Sequence, residues 1–149
     1  LDNPADRDHC MQYMLAVAMI KGDLVAEFYE DSFHQQNPLI DELRSKMILT
    51  EDKRYSKDYL ADDKRSIANA LQIYFNDGSR TQKVEVEYPI GHRHRRKEGI
   101  PLLERKFFNS LKNTFNNDQA NRIYSLCLDS EKIKNTPVNE FMDLFVIKD

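Results

Sequence analysis

The densest group of reactive side chains is the run His92-Arg93-His94-Arg95-Arg96-Lys97, with four permanent cations and two imidazoles in six residues. Guanidinium forks bind carboxylates through two parallel hydrogen bonds, so the run suits a carboxylate-rich ligand, with His92, Arg93, Arg95 and Arg96 as candidate contacts. A solvated loop, or a nuclear-localisation or nucleic-acid patch, is the competing reading of any short basic stretch. Position favours the carboxylate. The run follows an expected strand end, and Pro89, Gly91 and Gly99 frame it as a shaped turn in which Gly91 would let backbone approach a ligand closely. His92 and His94 are two apart with no acidic or cysteine partner at ligand spacing, so no metal site is expected.

A second candidate lies near the start of the chain, where His9 and Tyr13 are four apart and so share one face of an otherwise apolar expected helix. A site role is open, and so is a structural one in which the histidine bonds backbone and the tyrosine ring packs; buried polar groups are paired in either case. His9 and Cys10 do not make a nucleophile pair, because adjacent helical residues do not face each other. The sequence holds no GxSxG, P-loop or GxGxxG, which leaves activated-serine, nucleoside-triphosphate and dinucleotide chemistry without support.

The elements that would position these groups follow from periodicity and punctuation. Asn3-Pro4 signals a helix start, and Met11 to Ile20 is apolar around nearly its whole circumference until Gly22 stops it. Asp23 is expected to cap a second helix bearing Leu24, Val25, Phe28 and Tyr29, and Asn37-Pro38 to open a third with Leu39, Ile40, Leu43 and Met47. Residues 51–65 mix both signs of charge without a clear period and read as an exposed connection. From Ile67 the period becomes two; with turn chemistry at Asn76-Asp77-Gly78-Ser79 and alternation through Val84, Val86 and Tyr88, this is a β-hairpin at about 66–88. Pro101 is expected to start a helix with the stripe Leu103, Phe107, Leu111 and Phe115, and two short helices follow. The order implies an α+β fold, a small antiparallel sheet packed against several helices. Two strands alone are marginal and need a further strand or a helical cover.

With 149 residues, 40% hydrophobic and 32% charged, the chain is expected to be globular around a single core. A net charge of −3 supplies no global field for nucleic acid or an anionic membrane, and neither is expected as a partner. The stretch Met11 to Ile20 is about half of a bilayer span, so no membrane segment is expected. Cys10 and Cys127 read as buried free thiols of a reducing compartment, with one disulfide as the alternative. The chain begins with Leu1, and Leu1-Asp2-Asn3-Pro4 has neither a basic n-region nor an apolar h-region, so the sequence is expected to be a piece of a longer protein.

Three ordered stretches together resemble the carboxy-terminal part of the MmgE/PrpD family. They are Leu1-Asp2-Asn3-Pro4-Ala5-Asp6-Arg7-Asp8-His9-Cys10-Met11-Gln12-Tyr13-Met14, then Lys64-Arg65-Ser66-Ile67-Ala68-Asn69-Ala70-Leu71, and lastly Tyr88-Pro89-Ile90-Gly91-His92 with Glu98-Gly99-Ile100-Pro101-Leu102-Leu103-Glu104-Arg105-Lys106-Phe107. The resemblance implies a cofactor-independent cytoplasmic hydro-lyase of the methylcitrate cycle in propionate catabolism, a homodimer that converts 2-methylcitrate to 2-methyl-cis-aconitate. It also implies a large all-helical domain, built from an amino-terminal half and the chain end, beside a smaller α+β domain. Residues 1–115 would then be the α+β domain and 116–149 a helical tail rejoining the missing helical domain, with most catalytic residues outside this chain and the fragment inactive alone. His9 and Tyr13 match a His…Tyr pair that recurs at this helix in relatives, which makes them candidates for lining the cleft and for the acid or base. A family member acting on another polycarboxylate by decarboxylation or epimerisation, and an anion-binding interaction module without catalysis, are the alternatives.

Overall fold

The computed structural model describes residues 1–147 and shows an α+β protein with a two-stranded antiparallel sheet. It divides into two compact units, Leu1–Glu51 and Asp52 onward, in place of the single core expected from length. Each unit gathers its own apolar cluster.

In the first unit Asn3 caps α1 (Pro4–Asp8) by accepting the Asp6 N–H at 3.0 Å. The expected continuous helix is interrupted: His9 leaves the helix, Cys10 occupies the cap, and α2 runs Met11–Lys21. The His9 ring donates to the Ala5 carbonyl at 3.1 Å, taking the acceptor that a continuing helix would have used. Gly22, at φ +73°, ends α2 with its N–H on the Ala18 carbonyl, 2.8 Å. The Asp23 carboxylate accepts the Leu24 N–H and starts no α-helix; a 3-10 turn (Ala26–Tyr29) and α3 (Asp31–Gln36) follow. α2 packs on α4 (Leu39–Ser45), burying Tyr13, Ala16, Val17 and Ile40 completely. The burial of α2 is one-sided in this chain, since Met11 and Met19 remain half exposed.

In the second unit, residues expected to be a connection form α5 (Lys53–Leu60), capped by Asp52, which accepts the Arg54 N–H at 2.9 Å. The hairpin is present but its strands are short: β1 (Asn69–Leu71) pairs with β2 (Val84–Val86), Ala70 opposite Glu85. Beyond Leu71 side chains supplement the backbone bonds from Thr81 N–H to the Ile73 carbonyl and from Phe75 N–H to the Ser79 carbonyl, the Thr81 hydroxyl accepting the Ile73 N–H and the Gln72 amide donating to the Thr81 carbonyl. The Tyr74–Arg80 bridge lies one residue out of register with the strands, a bulge on the returning arm. Every strand residue is exposed, and α5 reaches the hairpin through Arg54 and Tyr55, both bonded to Glu85.

The long helix α6 spans Arg96–Thr114, so Pro101 lies inside it and not at its start. Near the amino-terminal end Pro101 costs only the bond to the Lys97 carbonyl, and a 3-10 turn (Arg93–Arg95) leads the chain straight into α6. Leu111, Phe107 and Phe115 pack against Ala120 and Ile123 of α7 (Asn117–Leu128), with Leu144 and Phe145 closing the cluster. α8 (Ser130–Lys134) and α9 (Val138–Asp143) complete the unit, and buried Gln119 donates to the Leu144 and Val146 carbonyls at 2.8 and 2.9 Å. Cys10 and Cys127 are free and half-buried rather than fully buried, and desolvation pushes the Cys127 thiol up. No helix among the described residues is long and apolar enough to cross a membrane.

Candidate functional site

The 88–96 turn that carries the basic run is built by local backbone bonds. His92 N–H closes onto the Pro89 carbonyl, and Arg95 N–H onto the His92 carbonyl, both at 2.8 Å. The turn rests on α6 at Gly99, where an added Cβ would lie 2.4 Å from the Ile90 carbonyl oxygen; a side chain there would push the two apart. Gly91, expected to make room for a ligand, has open space around its Cβ direction. The rings of Tyr88, His92 and His94 form a trio with centroids 4.6 to 4.9 Å apart. Desolvation, then the Glu87 charge, pushes the Tyr88 phenol up.

A second segment, 61–66, meets this turn. Arg65 takes φ +47°, the one positive value outside glycine among the described residues, with its N–H on the Ala61 carbonyl at 2.8 Å. Its carbonyl accepts from His92 Nε2 at 3.0 Å, and the Asp62 carbonyl accepts from Arg93 Nη2 at 3.4 Å. Ser66 is completely buried, its N–H on the Asp58 carbonyl, and its hydroxyl has no hydrogen-bond partner among the described residues.

The four predicted contacts in the run differ in how many donors they have left. Arg95 is half-buried and engaged: its Nη2 and Nε hold the Glu98 carboxylate and its Nη1 donates to the Tyr88 carbonyl at 3.1 Å. Glu98 is held below the usual carboxylate range by that guanidinium. Both ring nitrogens of His92 are occupied, because Nδ1 accepts the His94 N–H at 3.2 Å while Nε2 donates to Arg65. Arg93 is exposed, with the long bond to Asp62 as its hydrogen bond, and Arg96 is exposed at the start of α6. The cluster therefore presents Arg93 and Arg96 as available cations.

His9 and Tyr13 lie in the first unit and are not brought together. The break at Cys10 separates them: the His9 side chain is 83% exposed while Tyr13 is fully buried. The bond to the Ala5 carbonyl, then the adjacent Asp8 carboxylate, raises the His9 imidazole. Tyr13 donates its hydroxyl to the Phe28 carbonyl at 2.7 Å, and burial pushes its phenol up.

Sequence reasoning missed the polar centre beside Tyr13. Arg7, only 2% exposed, donates Nε to the Tyr29 carbonyl (2.7 Å) and Nη1 to the Leu1 carbonyl (3.1 Å), and pairs Nη2 with Asp31. Its Nη1 also faces His34 Nδ1 at 3.4 Å, and His34 Nε2 donates to Asp41 at 2.9 Å under the edge of the Tyr13 ring. Desolvation pushes Asp41 up, but the bonds from Arg44 and His34 outweigh it and hold the carboxyl low. The only sequence signal was a lone arginine between Asp6 and Asp8, which reads as surface. Nor does any residue type announce the Arg65 conformation, which asparagine or glycine would have flagged.

Comparison with known proteins places these residues in a larger context. The sequence model of the MmgE/PrpD C-terminal domain matches residues 1–130. The chain is similar to 2-methylcitrate dehydratase of Salmonella typhimurium, 48% identical over 147 residues, covering 99% of this chain and 30% of that protein. The same figures hold for 2-methylcitrate dehydratase of Escherichia coli. The mitochondrial 2-methylcitrate dehydratase of Yarrowia lipolytica is 47% identical over 149 residues, covering all of this chain and 28% of that protein. The chain thus spans less than a third of the length of these relatives.

Proposed function

Because the chain belongs to the MmgE/PrpD family as its C-terminal domain, we propose that it is the carboxy-terminal part of a 2-methylcitrate dehydratase. The whole enzyme is then a cofactor-independent cytoplasmic hydro-lyase of propionate catabolism, forming 2-methyl-cis-aconitate as a homodimer. In this reading residues 1–115 belong to its α+β domain, and 116–149 return to an all-helical domain supplied by the rest of the polypeptide. The observation that carries the reading is near-half identity along the whole chain to proteins of that name.

Dehydration needs a base to remove a proton α to a carboxylate, an acid for the departing hydroxide, and cations for the substrate carboxylates. This chain's contribution is mainly the last. Arg93 and Arg96 supply the carboxylate contacts, and the 92–95 turn with Arg95 and His92 supports them. In the first unit His9, exposed and with a raised imidazole, is the proton-donor candidate, and Tyr13, fully buried with its hydroxyl on the Phe28 carbonyl, is the weaker one.

A chimera tests the assignment. The matching carboxy-terminal segment of the Salmonella typhimurium enzyme is replaced by this chain, and turnover of 2-methylcitrate is followed by the ultraviolet absorbance of the new conjugated double bond. Turnover comparable to the parent is expected; a soluble, folded chimera without turnover beside an active parent overturns the assignment.

A further inference from the structure

His92 holds a position that few side chains could fill. Its Nδ1 accepts the backbone N–H of His94 and its Nε2 donates to the carbonyl of Arg65, so one ring nitrogen must carry the proton and the other must not. The neutral form protonated at Nε2 satisfies both bonds; a proton on Nδ1 would face the His94 N–H donor to donor. The acceptor half caps the 3-10 turn that carries Arg93 and Arg95. The donor half fastens that turn to segment 61–66, where the left-handed backbone of Arg65 presents the carbonyl. The Asp62 carbonyl of the same segment steadies one edge of the Arg93 guanidinium at 3.4 Å. The remaining N–H groups of Arg93 have no partner among the described residues.

We infer that His92 is a positioning residue and not a substrate contact: locked as the Nε2–H imidazole between the His94 amide and the Arg65 carbonyl, it aims the Arg93 guanidinium at a substrate carboxylate. The identity of that carboxylate rests on the dehydratase reading. The lock itself does not, and it can be measured separately.

The chain has four histidines, so imidazole nitrogen NMR of the full chain labelled with 15N-histidine resolves the protonation pattern. The His92 signals, assigned by their loss in His92→Gln, are expected to show a protonated Nε2 and a bare Nδ1. A proton on Nδ1, or averaging between the two forms, overturns the lock.

Kinetics in the chimera test the aim. Arg93→Ala should raise KM about 10–100-fold with kcat little changed, the signature of lost uniform binding through a charge-assisted bond. His92→Gln keeps an amide donor for Arg65 and should stay within about threefold, while His92→Ala should raise KM about tenfold. Arg65→Gly accepts the positive φ and should behave as wild type, whereas Arg65→Val strains it and should follow His92→Ala. If His92→Gln lowers kcat and leaves KM unchanged, His92 takes part in the chemistry and the inference fails. If Arg65→Gly is as damaging as Arg65→Val, the side chain and not the carbonyl matters, and it fails again. An inactive wild-type chimera would remove the dehydratase reading and leave the NMR result to judge the lock.

Discussion

Arg7 in the first unit and Arg93 in the second are the same side chain in opposite surroundings. Arg7 is buried with each of its three nitrogens engaged, on the Tyr29 and Leu1 carbonyls, His34 and Asp31. Arg93 is exposed and holds one long bond to the Asp62 carbonyl. A guanidinium with every nitrogen engaged cements the structure, and one with nitrogens to spare is available to a ligand. Counting engaged nitrogens therefore separates a cation fixed within the fold from one left open to a ligand, where residue type alone does not.

The comparison breaks most visibly at Arg7. Arg7→Met keeps much of the volume but leaves the Leu1 and Tyr29 carbonyls without their donor, and should cost about 2–5 kcal/mol in urea unfolding of the full chain followed by circular dichroism. Arg93→Ala in the same assay should stay within about 0.5 kcal/mol. Equal costs at the two sites would show that donor occupancy does not distinguish their roles. Arg7→Lys should also be costly, because an ammonium cannot span the same fork of carbonyls and carboxylate.

Two glycines sharpen the contrast at a smaller scale. Gly22 in the first unit is there for its conformation, φ +73°, with open space around it. Gly99 in the second is there for space, with the Ile90 carbonyl where a methyl group would go. Helix propensity alone would make Gly99→Ala stabilising by about 1 kcal/mol. The backbone collision should reverse that sign and give a net loss of about 1–2 kcal/mol, together with displacement of the turn that bears His92. A stabilising Gly99→Ala would mean that the turn does not rest on α6 as described.

The parts of this architecture visible in the sequence are those where one residue type has one physical use. Asn3 before Pro4, Gly22 after an apolar run, and Asp77-Gly78-Ser79 in the hairpin each did what its chemistry requires. Helix α5 was hidden because eight residues of mixed charge carry their apolar signal in Tyr55, Tyr59 and Leu60 alone. The start of α6 was misplaced because proline is a start signal that is also tolerated a turn later. At the candidate site the basic run was legible as a cluster, but its division into engaged Arg95 and available Arg93 depends on Glu98, the Tyr88 carbonyl and Asp62, which only the fold brings into reach. The pairing of His9 with Tyr13 assumed an unbroken helix, and a bond from the His9 ring to the Ala5 carbonyl undid it.

The finest form of the comparison sets one buried hydroxyl against another. Tyr13 and Ser66 are both fully buried, but Tyr13 gives its proton to the Phe28 carbonyl, whereas the Ser66 hydroxyl has no partner among the described residues. Removing a bonded hydroxyl leaves its buried partner unsatisfied, and removing an unbonded one takes away a group whose desolvation nothing offsets. Ser66→Ala should therefore be neutral or stabilising, by up to about 1 kcal/mol, against a loss of about 1–3 kcal/mol for Tyr13→Phe in the same urea titration. Because Ser66 follows the strained Arg65, a clear loss on Ser66→Ala would show that its hydroxyl helps to hold that backbone, and the 61–66 segment would then owe its shape to a side chain as well as to His92.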